Sequence, residues 1–301
     1  FVRRLADAKY QVYVTGSNAK MLSKEVATTL GGRFFIYDTY PYSFKEYLAA
    51  QQMELREHWE FDTIQRSQVK RHLNEYFYYG GLPEILLFKN KRAMLSSLYQ
   101  KIYLGDICAR NNIKNDRVLN ILVKKMAESV KQPLSYNRLK NVIVTTGSSI
   151  SVPTTIDYVD YASDSWLILS MENEVGKLTE KEMQKKYYFV DNGLLNLFLM
   201  NSETSLLENM VAVELCRRFG KKNVFFLNAE KEIDFIVPDG KLAIQVSYSI
   251  KNVNTYNKEV PPLVKYAKAH QDWNCLLITY DEEGMEEGIP IVPVWKWLME
   301  V

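Results

Sequence analysis

The 301 residues carry 38 Lys and Arg against 36 Asp and Glu, a formal net charge of +2, with 47% hydrophobic and 25% charged residues. These proportions exclude a disordered or low-complexity chain, and no apolar run approaches the roughly 18 residues that a membrane span needs. Charge is unevenly spread: residues 1–115 hold 17 basic against 11 acidic side chains, 116–200 hold 10 against 10, and 201–301 hold 11 against 15. A polyanion would therefore prefer the first third. The length exceeds one small core, so two to four domains are expected. Cys108, Cys216 and Cys275 form no C-x-x-C pair. They are expected as free thiols in a reducing cytoplasm, which is the expected location. His58, His72 and His270 lack metal-ligand spacing. The chain starts on Phe1 without a signal peptide, and the expectation is a fragment of a longer protein.

Val12 to Thr15 reads as a short strand, Gly16-Ser17-Asn18 as a turn, and Ala19 to Leu30 as a helix ended by Gly31-Gly32. One strand and one helix cannot bury their apolar sides alone, so more sheet is expected upstream. This stretch resembles the late part of a prokaryotic AAA-type ATPase domain. The resemblance implies a phosphate sensor among Thr15, Ser17 and Asn18. It makes Arg33, in "TLGGRF", the phosphate-sensing cation, a role suited to a planar, permanently charged guanidinium. Read without the resemblance, Arg33 caps a helix C-terminus and Asn18 starts a turn. The G-x-x-x-x-G-K-[ST] loop does not occur in the 301 residues. The resemblance places it upstream with the acidic Walker B strand. ATP and Mg²⁺ are thus implied as cofactors of the full-length protein, and this chain alone is expected not to hydrolyse ATP.

Ser43 and Glu46 form a capping box, and Phe44, Tyr47 and Leu48 give the helix an apolar stripe. Arg66 to Tyr79 is a second helix, broken by Gly80-Gly81 and Pro83 as a hinge, and Lys91 to Arg110 is a third. "PYSFKEYL" and "YYGGLPE" also resemble the AAA-type family, in its order, although Gly105-Asp106 stands where the family has Arg-Asp. Arg66, Lys70 and Arg71 lie near Tyr76, Tyr78 and Tyr79. They suit either single-stranded nucleic acid or a helix with a charged outer face and an aromatic inner one.

Asp116 to Val130 carries Leu119, Leu122, Val123, Met126 and Val130 at helical spacing. "LSYNRLKNVI", capped by Ser135, and "SVPTTIDYVDYASDS", with Pro153 in its first turn, are two more helices. The strands "WLILSM" and "KYYFVD" follow, around a charged turn. Three helices and a β-wing make a winged helix-turn-helix. Its third helix carries Asp157, Asp160 and Asp164 and no cation, so it would repel a DNA backbone. DNA is therefore a weaker expectation than an unknown protein partner. Lys177, Lys181, Lys185 and Lys186 in the wing are offset by Glu172, Glu174, Glu180 and Glu182.

From Asn201 the pattern becomes helix, strands, helix, strand, with Pro261-Pro262 marking the start of the second helix. This order resembles the PD-(D/E)XK restriction-endonuclease-like fold. The resemblance implies Glu208 as the helix acid, Asp234 as the strand acid and Gln245 at the Glu/Gln position, with Mg²⁺ on Asp234 and Glu208. Ser247 stands where the catalytic lysine belongs. Lys241 and Lys251 lie in or beyond loops, so the site is expected to lack its ammonium and to be silent. The same polar residues also suit a buried hydrogen-bond network that sets strand register. The expected fold is α/β multidomain. It divides into an ATPase remnant (1–42), a helical connector (43–115), a winged helix (116–200) and a restriction-endonuclease-like α/β/α domain (201–301). A metal-dependent DNA nuclease and a scaffold without chemistry are the alternatives to a nucleotide-responsive module.

Overall fold

In the computed structural model, which describes residues 2–16, 35–229 and 232–300, helices and two sheets build an α/β fold. Helix α1 (Val2–Asp7) precedes a segment that departs from expectation. Val12 to Thr15 is not a strand, because no neighbouring strand pairs with it among the described residues. Tyr13, 89% exposed, and Val14 stand in solvent. Ser17, Asn18, Arg33 and the expected 19–30 helix lie outside the described residues.

Helix α2 (Phe44–Ala50) begins where Ser43 Oγ accepts from the Glu46 N–H at 3.2 Å and Glu46 Oε2 accepts from the Ser43 N–H at 2.7 Å. Helix α3 (Thr63–Tyr79) starts three residues before Arg66, because Asp62 Oδ1 accepts from Ile64 and Gln65 N–H. Its Tyr76 and Phe77 turn inward while Arg71 is exposed, and Lys70 pairs with Asp281 at 2.5 Å. Here the aromatics are core and the cations surface. Helix α4 (Lys91–Gln100) widens into a π-helical stretch over Lys101–Ala109, whose Gly105 has no neighbour near its missing side chain. The single uniform helix expected for 91–110 is corrected accordingly.

The Gly80-Gly81 pair is a clamp, not the expected hinge. Gly80 has φ +77°, and a Cβ there would lie 2.0 Å from Asp191 Oδ1. Asp191 Oδ2 accepts from the Gly81 N–H at 2.7 Å, and its Oδ1 accepts from Gly193 and Leu194 N–H at the start of α9 (Asn192–Asn196). One buried carboxylate thus closes α3 and opens α9.

Between them lie α5 (Asp116–Glu128), β1 (Leu134–Ser135), α6 (Tyr136–Thr145), α7 (Val152–Asp164), β2 (Ile168–Met171), α8 (Leu178–Met183) and β3 (Gln184–Phe189). Ser135 and Ser151 cap α6 and α7 through their hydroxyls. The three strands pair antiparallel in the order β1-β3-β2. The charged turn contains the short helix α8, which the sequence reading leaves irregular.

Helix α10 (Glu203–Phe219) then leads into a six-stranded sheet of order β4-β5-β6-β7-β9-β8. Its strands are β4 (Phe225–Asn228), β5 (Glu232–Val237), β6 (Leu242–Ser247), β7 (Asn274–Thr279), β8 (Gly284–Glu286) and β9 (Ile289–Pro293). β6, β7 and β9 run parallel, and the remaining pairs are antiparallel. Phe235, Val237, Ile244, Val246, Leu276 and Ile278 face the main core with α10. Ile236, Ala243, Cys275 and Leu277 face Val260, Leu263 and Val264 of α11 (Val253–Ala269). This two-residue alternation buries both faces of the sheet. Pro261 and Pro262 lie inside α11 and do not mark its start. Asn252 caps the helix at Asn254 N–H, and the burial of Val260, Leu263 and Val264 outweighs the backbone bonds the prolines forfeit.

Burial pushes Asp191 up to about 6, against the four amides of Gly81, Gly193, Leu194 and Leu82 that favour its charge. A folded pKa above the ordinary 3.8 means the folded chain holds the proton more tightly, so stability falls as pH rises between 3.8 and about 6. Asp191→Asn, neutral throughout, is expected to flatten that part of the profile, measured as the urea midpoint against pH.

Candidate functional site

β5 and β6 are paired from Val237↔Leu242 to Phe235↔Ile244, and there the ladder stops. The next residues, Asp234 and Gln245, meet through side chains instead. Gln245 Oε1 accepts from Asp234 N–H at 3.3 Å, and Asp234 Oδ2 accepts from Val246 N–H at 2.9 Å. Backbone donors buried without partners cost about 1–3 kcal/mol each, so this splayed end of the hairpin requires polar side chains. Gln245 Nε2 in turn donates to Glu259 on α11.

Lys186 of β3 reaches into this splay. Its Nζ lies 3.3 Å from Glu208 Oε1, 3.3 Å from Asp234 Oδ1 and 3.1 Å from Glu232 Oε1, and its side chain is 0% exposed. The Phe226 ring lies 5.6 Å from the ammonium. Tyr188, two residues along the same face of β3, donates its hydroxyl to Glu208 Oε1 at 2.9 Å. Asn209, beside Glu208 on α10, positions the strand: its Oδ1 accepts from Phe189 N–H at 2.7 Å, and its Nδ2 donates to Phe189 O at 2.9 Å. The second amide hydrogen goes to Asn192 Oδ1 at 2.9 Å.

Burial alone would discharge Lys186, but Glu208, Asp234 and Glu232 together hold its pKa above the ordinary lysine value. Burial raises Glu208 above the usual carboxylate range, with Asp234 adding to the shift, while Lys186 and the Tyr188 hydroxyl oppose it. Glu259 is also raised, by burial first and then by Asp234.

The structure thus brings together Glu208, Asp234 and Gln245, and adds Lys186, Tyr188, Glu232 and Glu259. Ser247 is not part of the cluster; its hydroxyl donates to Ser249 O at 3.1 Å. Lys241 pairs with Asp272 at 2.6 Å on the surface, and Lys251 is exposed. The expected loss of the ammonium is therefore corrected: a lysine is present, supplied from another sheet. It stands between Glu208 and Asp234, where the resemblance implies Mg²⁺. Among the described residues no group of three or more His, Cys, Asp or Glu is arranged to hold a metal ion. As folded, the carboxylates hold an ammonium at the position where the resemblance implies Mg²⁺. Its signal in the sequence is the second lysine of Lys185-Lys186, two residues before Tyr188 and next to the buried aromatic run Tyr187 to Phe189. Glu232, with 37% of its side chain exposed, is the cluster's most accessible carboxylate.

The wing lysines are mostly engaged. Lys185 pairs with Glu172 at 3.1 Å and Glu182 at 3.6 Å, and Lys181 lies over the Phe225 ring. Cys108, Cys216 and Cys275 are free and buried. No helix among the described residues is long and apolar enough to cross a membrane.

Residues 70–205 match a family described as a domain of unknown function, and residues 1–48 match one described as an AAA domain. The chain is 32% identical to an uncharacterized protein of Methanocaldococcus jannaschii over 319 aligned positions, covering 99% of this chain and 70% of the relative. It is 30% identical to an uncharacterized protein of Haemophilus influenzae over 299 positions, covering 96% of this chain and 71% of the relative. No solved structure matches the chain.

Asp234→Leu would orphan the Val246 N–H and remove one carboxylate from Lys186. It is expected to cost about 3–5 kcal/mol, read from urea denaturation. Gln245→Leu leaves charge intact and is expected to cost about 1–3 kcal/mol in the same assay.

Proposed function

The chain belongs to the family of these archaeal and bacterial proteins, and from that premise we propose that it is the C-terminal part of an AAA-type ATP-binding protein with a silent nuclease-like domain. The AAA-domain match over residues 1–48 supports the first half of this reading. In it, Ser17, Asn18 and Arg33 sense the terminal phosphate of an ATP–Mg²⁺ complex whose phosphate loop is carried elsewhere in the full-length protein. The three helices with the β1-β3-β2 sheet are read as a winged helix. The six-stranded sheet covered on both faces is read as a PD-(D/E)XK-like domain.

The observation that carries the silent half is the position of Lys186. In a working nuclease of this type, carboxylates hold the metal and a lysine orients or deprotonates the attacking water. Here the ammonium is in direct contact with three carboxylates, and Lys186, Glu208, Asp234 and Gln245 are all buried. A phosphodiester cannot reach Glu208 or Asp234 without displacing β3. The residues instead form an ion cluster that joins two units of the chain, as suits a protein that relays nucleotide state to a protein partner. The acidic α7, with Asp157 and Asp160 exposed, disfavours a duplex as that partner.

A second reading, a metal-dependent DNA nuclease using Glu208, Asp234 and Gln245, is favoured by one fact: Lys186 supplies the ammonium that Ser247 does not. Incubation of single- and double-stranded DNA with Mg²⁺ or Mn²⁺ decides between them. The expected outcome is intact DNA and, with ATP, no phosphate release. Cleavage abolished by Asp234→Ala would establish the nuclease, and turnover abolished by Arg33→Ala would establish hydrolysis by this chain.

A further inference from the structure

The stretch that runs from the end of β2 into β3 is attached to the C-terminal part of the chain at two places. Glu174 N–H donates to Phe226 O at 2.8 Å, and Phe226 N–H donates to Glu172 O at 3.0 Å. Asn173 adds a side-chain pair, donating to Asn228 O at 3.2 Å and accepting from Asn228 N–H at 3.0 Å. β4 is the edge strand of the six-stranded sheet, so this segment covers an edge that would otherwise present unpaired donors and acceptors. The second attachment is Lys186 in its nest of Glu208, Glu232 and Asp234.

The two attachments differ in physics. The first consists of ordinary backbone and amide bonds, each of modest net strength. The second is a buried ion cluster, which contributes little net stability compared with apolar packing of the same volume but is costly to leave with one partner missing. Withdrawing β3 completely would return the ammonium to water and open the carboxylates to it. A partial displacement leaves buried carboxylates unpaired. Intermediate positions are therefore penalised more than either end state, which is the behaviour of a two-state junction.

We propose that Lys186 is a clasp: β3, which carries it, and the preceding segment 172–183 close together over Glu208, Asp234 and the β4 edge, and the ion cluster and the β4 bridge loosen as one cooperative junction. What opening uncovers rests on the nuclease-like reading of the site; the clasp itself rests on the ion cluster and the β4 bridge.

Amide hydrogen exchange on the whole chain tests it. Glu174, Phe226 and Asn228 amides are protected by partners across the junction, whereas Leu277 and Ile278 lie in central β7. Lys186→Met is expected to speed exchange at the three junction amides together, by at least about tenfold, with the β7 amides unchanged. Adding Glu208→Gln and Asp234→Asn to Lys186→Met removes the uncompensated charge and is expected to return junction exchange toward wild type. The clasp is overturned if Lys186→Met leaves the junction amides unchanged, if they accelerate independently of one another, or if the triple variant stays as open as the single one. None of these readouts needs catalysis. DNA cleavage or its lack decides the nuclease-like reading, and exchange decides the clasp.

Discussion

A single ammonium surrounded by three carboxylates constrains how this chain is put together. Lys186 comes from the three-stranded sheet, Glu208 from the long helix that follows it, and Glu232 and Asp234 from the second sheet. A charge buried this deeply is tolerable only when it is paired, so each element must arrive in register for any of them to be stable there. Such a cluster specifies arrangement more than it adds stability. An apolar plug would allow β3 to slide along α10, whereas a displaced ammonium would leave carboxylates unpaired.

Neutral buried groups align the same elements. Asn209 closes both backbone groups of Phe189 and passes its remaining hydrogen to Asn192, whose own amide donates to Phe77 O and Leu206 O at 3.0 Å. Asp191 ties the end of α3 to the start of α9 through the Gly81 amide. Gly193 fits there because a side chain would come within 2.2 Å of Tyr79 O. Helix α3, strand β3 and helices α9 and α10 are thereby joined by hydrogen bonds that saturate buried polar groups. Lys186 meets its carboxylates because these joints leave β3 little freedom.

The polar residues of the hairpin answer two requirements at once. Asp234 completes the hydrogen bonding of Val246 N–H where the β5–β6 ladder ends, and it is also a partner of Lys186. Gln245 does the first job for Asp234 N–H while binding Glu259. Register-setting and charge pairing are therefore not alternatives here; one carboxylate does both.

Part of the local chemistry was legible in the sequence, although the nearby caps at Asp62 and Asn252 were not. The Ser43–Glu46 box and the cap at Ser135 follow from neighbours along the chain. The grouping of Glu208, Asp234 and Gln245 was legible from family resemblance. What the tertiary structure alone decided is where the cation comes from, that the Gly80-Gly81 turn is clamped, and that α11 continues through Pro261-Pro262. Each depends on contacts between residues far apart in sequence: 22 and 48 residues for Lys186 with Glu208 and Asp234, and 110 for Gly81 with Asp191. Propensity and periodicity describe a residue's neighbours along the chain, and they carry no information on which distant element supplies the charge that a buried carboxylate requires.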